Sequence, residues 1–211
     1  MQIRTDLGTR VELVSMDPHC HDATIGLYRR ETADGPVGIV HSYSSVAGIA
    51  KRLGFLAEAM CVLGGLERVE GDDATVRLPC RTWHNAALKR LFLDCFRVDP
   101  STAPEVKPLE APDTRSEQLI RVEPVGGGRY RVGATDVPEG DDSRAPAIAR
   151  ALVRLAQLEE VDETTVGFPC GERHDALIGA LLVRAQNLRA ALREEELTAS
   201  RGVLTAPSAQ E

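Results

Sequence analysis

The sequence predicts an α/β protein of the α+β type, built from two tandem β-β-α-β-α repeats packed about a pseudo-two-fold axis. Three observations carry this expectation. The first is an internal repeat: residues 75–88 read T-V-R-L-P-C-R-T-W-H-N-A-A-L, and residues 165–178 read T-V-G-F-P-C-G-E-R-H-D-A-L-I. Cys80 and Cys170 are 90 residues apart, as are His84 and His174, so a Pro-Cys-x-x-x-His core recurs in register. The second is that strand-like and helix-like apolar periods follow one another in the same order in both halves. The third is size: a unit of about 80 residues is near the lower limit for an independent core, and two such units can cover each other's open faces.

The first repeat is assigned to residues 1–98. Val11 to Met16 and Ala23 to Tyr28 alternate as strands around a turn, Asp17-Pro-His-Cys-His-Asp22. Val37 to His41 reads as a further strand or the lead into a helix, with Ser44 or Ser45 as its N-cap. Val46, Ile49, Ala50, Leu53, Leu56, Ala57, Met60 and Leu63 recur three and four apart, which is one face of a helix, and Gly64-Gly65 ends it. Thr75 to Leu78 is a strand closed by Pro79, and a helix follows from about Thr82 to Phe96.

Residues 99–116 carry Pro100, Pro104, Pro108 and Pro112, a spacing no helix tolerates, and read as an extended linker. The second repeat, residues 117–197, opens with a strand from Gln118 to Val122. A turn from Glu123 to Gly128 and a return strand from Arg129 to Ala134 follow. Glu123-Pro124 aligns with Asp17-Pro18 on this reading. Ser143 caps a helix carrying Ile148, Leu152, Leu155 and Leu158. Thr164 to Phe168 is the last strand, and a helix from Arg173 to Glu196 closes the repeat. The small, polar residues 198–211 read as a disordered tail.

Composition narrows the function classes. Hydrophobic residues make up 43% and aromatic residues 4%, so the core must be aliphatic. A net charge of −7 opposes general binding to nucleic acid or anionic membrane, although Arg outnumbers Lys and a local basic patch stays open. No apolar run approaches the roughly 20 residues of a membrane helix, and the first residues lack a signal-peptide pattern. The five cysteines are odd in number and partly embedded in helical patterns, which fits reduced thiols in the cytoplasm.

The repeated motif names the candidate site: Cys80, His84, Cys170 and His174 as metal ligands, with zinc as the expected ion. Each Cys is expected between a strand end and a helix start, where backbone N–H groups and the helix dipole favour a thiolate. Each His is expected one turn further along the same face. Such a pair can bind metal, activate a nucleophilic thiol, or hold a small molecule or anion. Brought together, the two pairs make a Cys₂His₂ set suited to tetrahedral zinc. A purely structural motif in a binding or assembly module is the alternative, since small thiols fill tight elbows well. A thiol-dependent enzyme using Cys80 or Cys170 is a third reading, and self-association stays open.

His19-Cys20-His21-Asp22 reads as a polar turn that happens to hold two histidines, with a further set of metal ligands on one turn of the first half as the alternative. His41-Ser-Tyr-Ser-Ser45 reads as a helix cap, and Asp72-Asp73 and Asp141-Asp142 as solvated turns. Trp83 either covers His84 or packs between the halves. P-loop, nucleophile-elbow and His-Glu-x-x-His motifs are absent from the sequence.

Overall fold

Antiparallel hairpins alternate with helices along the chain. The computed structural model describes residues 2–4, 10–16, 25–43, 47–96, 120–134, 144–183 and 185. In order they form β1 (Gln2–Arg4), β2 (Arg10–Met16), β3 (Ile25–Thr32), β4 (Gly35–Ser42), α1 (Ile49–Gly64), β5 (Glu67–Val69), β6 (Asp72–Arg77) and α2 (Asn85–Cys95). There follow β7 (Ile120–Gly126), β8 (Arg129–Ala134), α3 (Arg144–Ala156), β9 (Glu159–Glu160) and β10 (Thr165–Gly167), then α4 over residues 175–183. The linker 99–116, the tail 198–211, His19-Cys20-His21, the Ser44-Ser45 and Ser143 caps and Asp141-Asp142 lie outside the described residues.

The protein is mixed α+β. One sheet has the order β1-β2-β3-β4-β6-β5 and the other β7-β8-β10-β9, all neighbours antiparallel. In the first sheet Val76 pairs with Gly38 and Thr75 with Ile39. In the second, Val166 pairs with Tyr130 and Thr165 with Arg131.

Several expected elements differ. Each half holds one strand more between its helices, β5 and β9, so the order there is hairpin, helix, hairpin, helix rather than β-β-α-β-α. These strands are two and three residues long and mostly exposed, too short to show a period. The hairpin corresponding to β7–β8 in pairing order is β3–β4, not the expected pair around Asp17-Pro18. Val37 to His41 is therefore a central strand, and Glu123 to Gly126 continue β7, with a register shift between Pro124 and Gly126. Helix α1 starts later than expected, with Gly48 as N-cap at φ +85, and ends at Gly64 with Gly65 in the left-handed conformation. His41 and Tyr43 do not cap a helix; they stack edge-on at 4.8 Å on the strand pair beside Tyr28.

The core is mainly aliphatic, with a few aromatic rings, and it is shared. Leu56, Met60, Val76, Leu88, Leu91 and Phe92 of the first half join Val132, Ile148, Leu152, Val166, Phe168, Leu177 and Leu181 of the second in one buried cluster. Where α1 ends it meets α2 closely, because a Cβ on Gly64 would lie 2.2 Å from Leu91 Cδ2. It also approaches α4, where a Cβ on Gly65 would lie 3.2 Å from that of Ala176. These contacts bring the residues after β6 and after β10 to one place.

Candidate metal centre

Both Pro-Cys motifs follow a strand and form a tight turn before a helix. Arg81 N–H donates to the Leu78 carbonyl at 3.0 Å, and Gly171 N–H to the Phe168 carbonyl at 2.9 Å. The residue after each Cys is left-handed, Arg81 at φ +58 and Gly171 at φ +72. This folds the next amide back onto sulfur: Thr82 N–H donates to Cys80 Sγ and Glu172 N–H to Cys170 Sγ, both at 3.4 Å. Neither Cys sits at a helix N-terminus as expected, since α2 begins at Asn85 and α4 at residue 175, five residues after each. The residues between each Cys and its helix carry no regular secondary structure. The donors that stabilise negative sulfur are therefore local amides rather than a helix dipole.

His84 and His174 are the cap residues themselves. Their carbonyls accept the first helical bonds, from Leu88 N–H and Ile178 N–H at 2.9 Å each. Their side chains turn back toward the preceding Cys, with Sγ–Nε2 separations of 3.6 Å for Cys80–His84 and 3.2 Å for Cys170–His174. The two rings meet edge-on at 5.1 Å, and Phe168 packs against both, at 5.2 and 4.7 Å.

The four ligand atoms all lie within 4.8 Å of one another, so the cluster can hold a metal ion. Both histidines are buried, and both cysteines are partly exposed. Burial, aided by the nearby His174, pushes His84 down to about 4. Burial likewise lowers His174, against the opposing pull of Glu172 and Asp175. Both imidazoles are thus neutral at pH 7 and keep a lone pair for a metal. Without an ion, burial pushes the Cys170 thiol up, and the neighbouring Cys80 adds to the shift. A bound dication reverses that balance, because coordination itself removes the thiol proton.

A supporting layer surrounds the ligands. The buried Tyr130 hydroxyl accepts from His174 N–H at 2.5 Å and donates to Asp175 Oδ1 at 3.0 Å. It therefore fixes the cap that carries the His174 ring. The partner position in the first sheet is Gly38, and the space beside it is taken by Trp83, whose Cη2 would lie 3.3 Å from an added Cβ. Trp83 Nε1 donates to Asn85 Oδ1 at 3.2 Å, while its ring lies against the sheet at Gly38. Hairpin glycines back the metal-site turns: a Cβ on Gly128 would meet Gly171 C at 2.5 Å and Glu172 N at 2.7 Å, and one on Gly35 would meet Arg81 O at 3.1 Å.

Tyr130, Phe168 and the hairpin glycines were not legible as site residues. Gly171, inside the repeated motif, was the available signal of a left-handed turn. The remaining described cysteines lie elsewhere: Cys95 is fully buried, and burial pushes Cys61 up to about 11 although Arg68 opposes it. Asp72 opens β6 and accepts from Ala74 N–H and Thr75 Oγ1, which is a structural use. Among the described residues no helix is long and apolar enough to cross a membrane. Comparison with known protein families, curated proteins and solved structures finds no match to this chain.

Proposed function

We propose that Cys80, His84, Cys170 and His174 bind one zinc ion that joins two copies of an ancestral unit, and that the protein is a metal-stapled binding or assembly module. The convergence of donor atoms from two turns 90 residues apart carries this reading. Zinc bonds of about 2.3 Å to sulfur and 2.0–2.1 Å to nitrogen place tetrahedral donors roughly 3.3–3.8 Å apart. The Sγ–Nε2 separations of 3.6 and 3.2 Å sit at that scale. Two thiolates and two neutral imidazoles around a dication form a neutral complex, which suits a half-buried site. Four protein donors also fill the coordination sphere, as in structural rather than catalytic zinc sites.

The kinship of the halves rests on the repeated motif and on matched pairing, Val76 with Gly38 and Val166 with Tyr130. An approximate two-fold axis through the metal would relate the two turns. The thiol-enzyme reading draws less support, because burial raises the Cys170 thiol and neither Cys begins a helix. A thiolate centre needs reducing surroundings, and we place the protein in the cytoplasm on that ground.

Metal analysis of the purified full-length chain tests the proposal. One zinc per chain is expected, and it should be lost in Cys80→Ala and in Cys170→Ala. A protein that neither carries zinc nor takes it up at micromolar concentration would overturn it.

A further inference from the structure

We infer that Cys80 and Cys170 also form a site of reversible thiol oxidation, at which a peroxide links the two halves through a disulfide and displaces the metal. The displacement rests on the zinc reading; the linkage rests on the two thiols themselves. Their sulfurs belong to a cluster no wider than 4.8 Å and come from two separate turns, so the two thiols already face one another across the halves. A disulfide requires sulfurs about 2.05 Å apart, well inside tetrahedral spacing, so the bond and the metal site exclude each other.

Access favours the same pair. Cys80 and Cys170 are partly exposed, whereas His84 and His174 lie buried behind them. A small oxidant therefore meets sulfur first. Cys95 is fully buried, and Cys61, though also partly exposed, lies beside Arg68 and outside the four-residue cluster. The amide N–H groups of Thr82 and Glu172 donate to the two sulfurs at 3.4 Å and hold them side by side in the turns.

The chemistry closes with hydrogen peroxide as the oxidant. One thiolate attacks a peroxide oxygen, the O–O bond breaks, and hydroxide leaves a sulfenic acid on sulfur. The second thiolate attacks that sulfur, the S–S bond forms, the S–O bond breaks, and a second hydroxide leaves. The sulfur pair loses two electrons, and the peroxide gains them. Zinc, deprived of both thiolates, departs. A dithiol reductant reverses the exchange and restores both ligands.

The test titrates zinc-loaded, full-length protein with hydrogen peroxide. Zinc release is followed with a chromogenic chelator, and disulfides are mapped by mass spectrometry of unreduced peptides. Release of one zinc per chain in step with a Cys80–Cys170 linked peptide is expected, with recovery of both signals after dithiothreitol and added zinc. Cys61→Ser should leave the result unchanged. Zinc release with cysteine sulfinic acid, or with linkage to another cysteine, would overturn the inference. If the isolated chain holds no zinc, the zinc reading falls, and the same mapping on the metal-free chain still decides the linkage.

Discussion

Tyr130 shows how much of the centre depends on one hydroxyl. It accepts from the His174 backbone N–H and donates its own O–H to Asp175. Tyr130→Phe keeps the ring in the core but leaves a buried N–H unpaired, at a cost of about 1–3 kcal/mol in urea unfolding. The supporting bond is lost with it, and metal affinity should fall roughly 10–100-fold in chelator competition. His84, together with His174, shapes the pH response of the metal-free protein. The folded pKa of His84, about 4, lies below its ordinary value of 6.5, so the unfolded chain takes the proton first. Stability should therefore be full above pH 6.5 and decline toward pH 4. His84→Gln should flatten that slope in denaturant titrations from pH 7 to pH 4.

At the scale of elements, hairpin turns act as buttresses for the metal-site turns. Gly128, at φ +66, leaves no space for a side chain against the backbone of Gly171 and Glu172. Gly128→Ala combines left-handed strain of about 1–2 kcal/mol with displacement of the Cys170 turn, and should reduce zinc retention. Gly127→Ala meets nothing within 4 Å at φ +55, so it should show the strain with zinc retention intact. Equal metal loss in both variants would remove the buttress. Gly64→Ala probes a different contact, the approach of α1 to α2. Overpacking against Leu91 and Leu66 should cost about 1–3 kcal/mol in thermal or urea unfolding without altering zinc stoichiometry.

At the scale of the whole molecule, the proposed zinc would tie together the same two halves that the shared core joins. Removing zinc should lower the midpoint of thermal unfolding, and free zinc at a thousandfold excess over its dissociation constant should restore about 4 kcal/mol. Calorimetry with and without chelator checks this. The sequence by itself determined the α+β class, the periods of α1 and α3, the Gly64-Gly65 stop and the repeated Cys and His, because each is written in local spacing. It could not show β5 and β9, which are too short for a period and exist by pairing with β6 and β10. Nor could it show the turn geometry at Arg81, where a non-glycine residue takes a left-handed conformation that packing imposes. The meeting of Cys80 with Cys170, and the roles of Phe168 and Tyr130 beside them, were decided by tertiary structure alone. Residues 90 positions apart become neighbours only when the two apolar faces are buried against each other, and no local pattern records that distance.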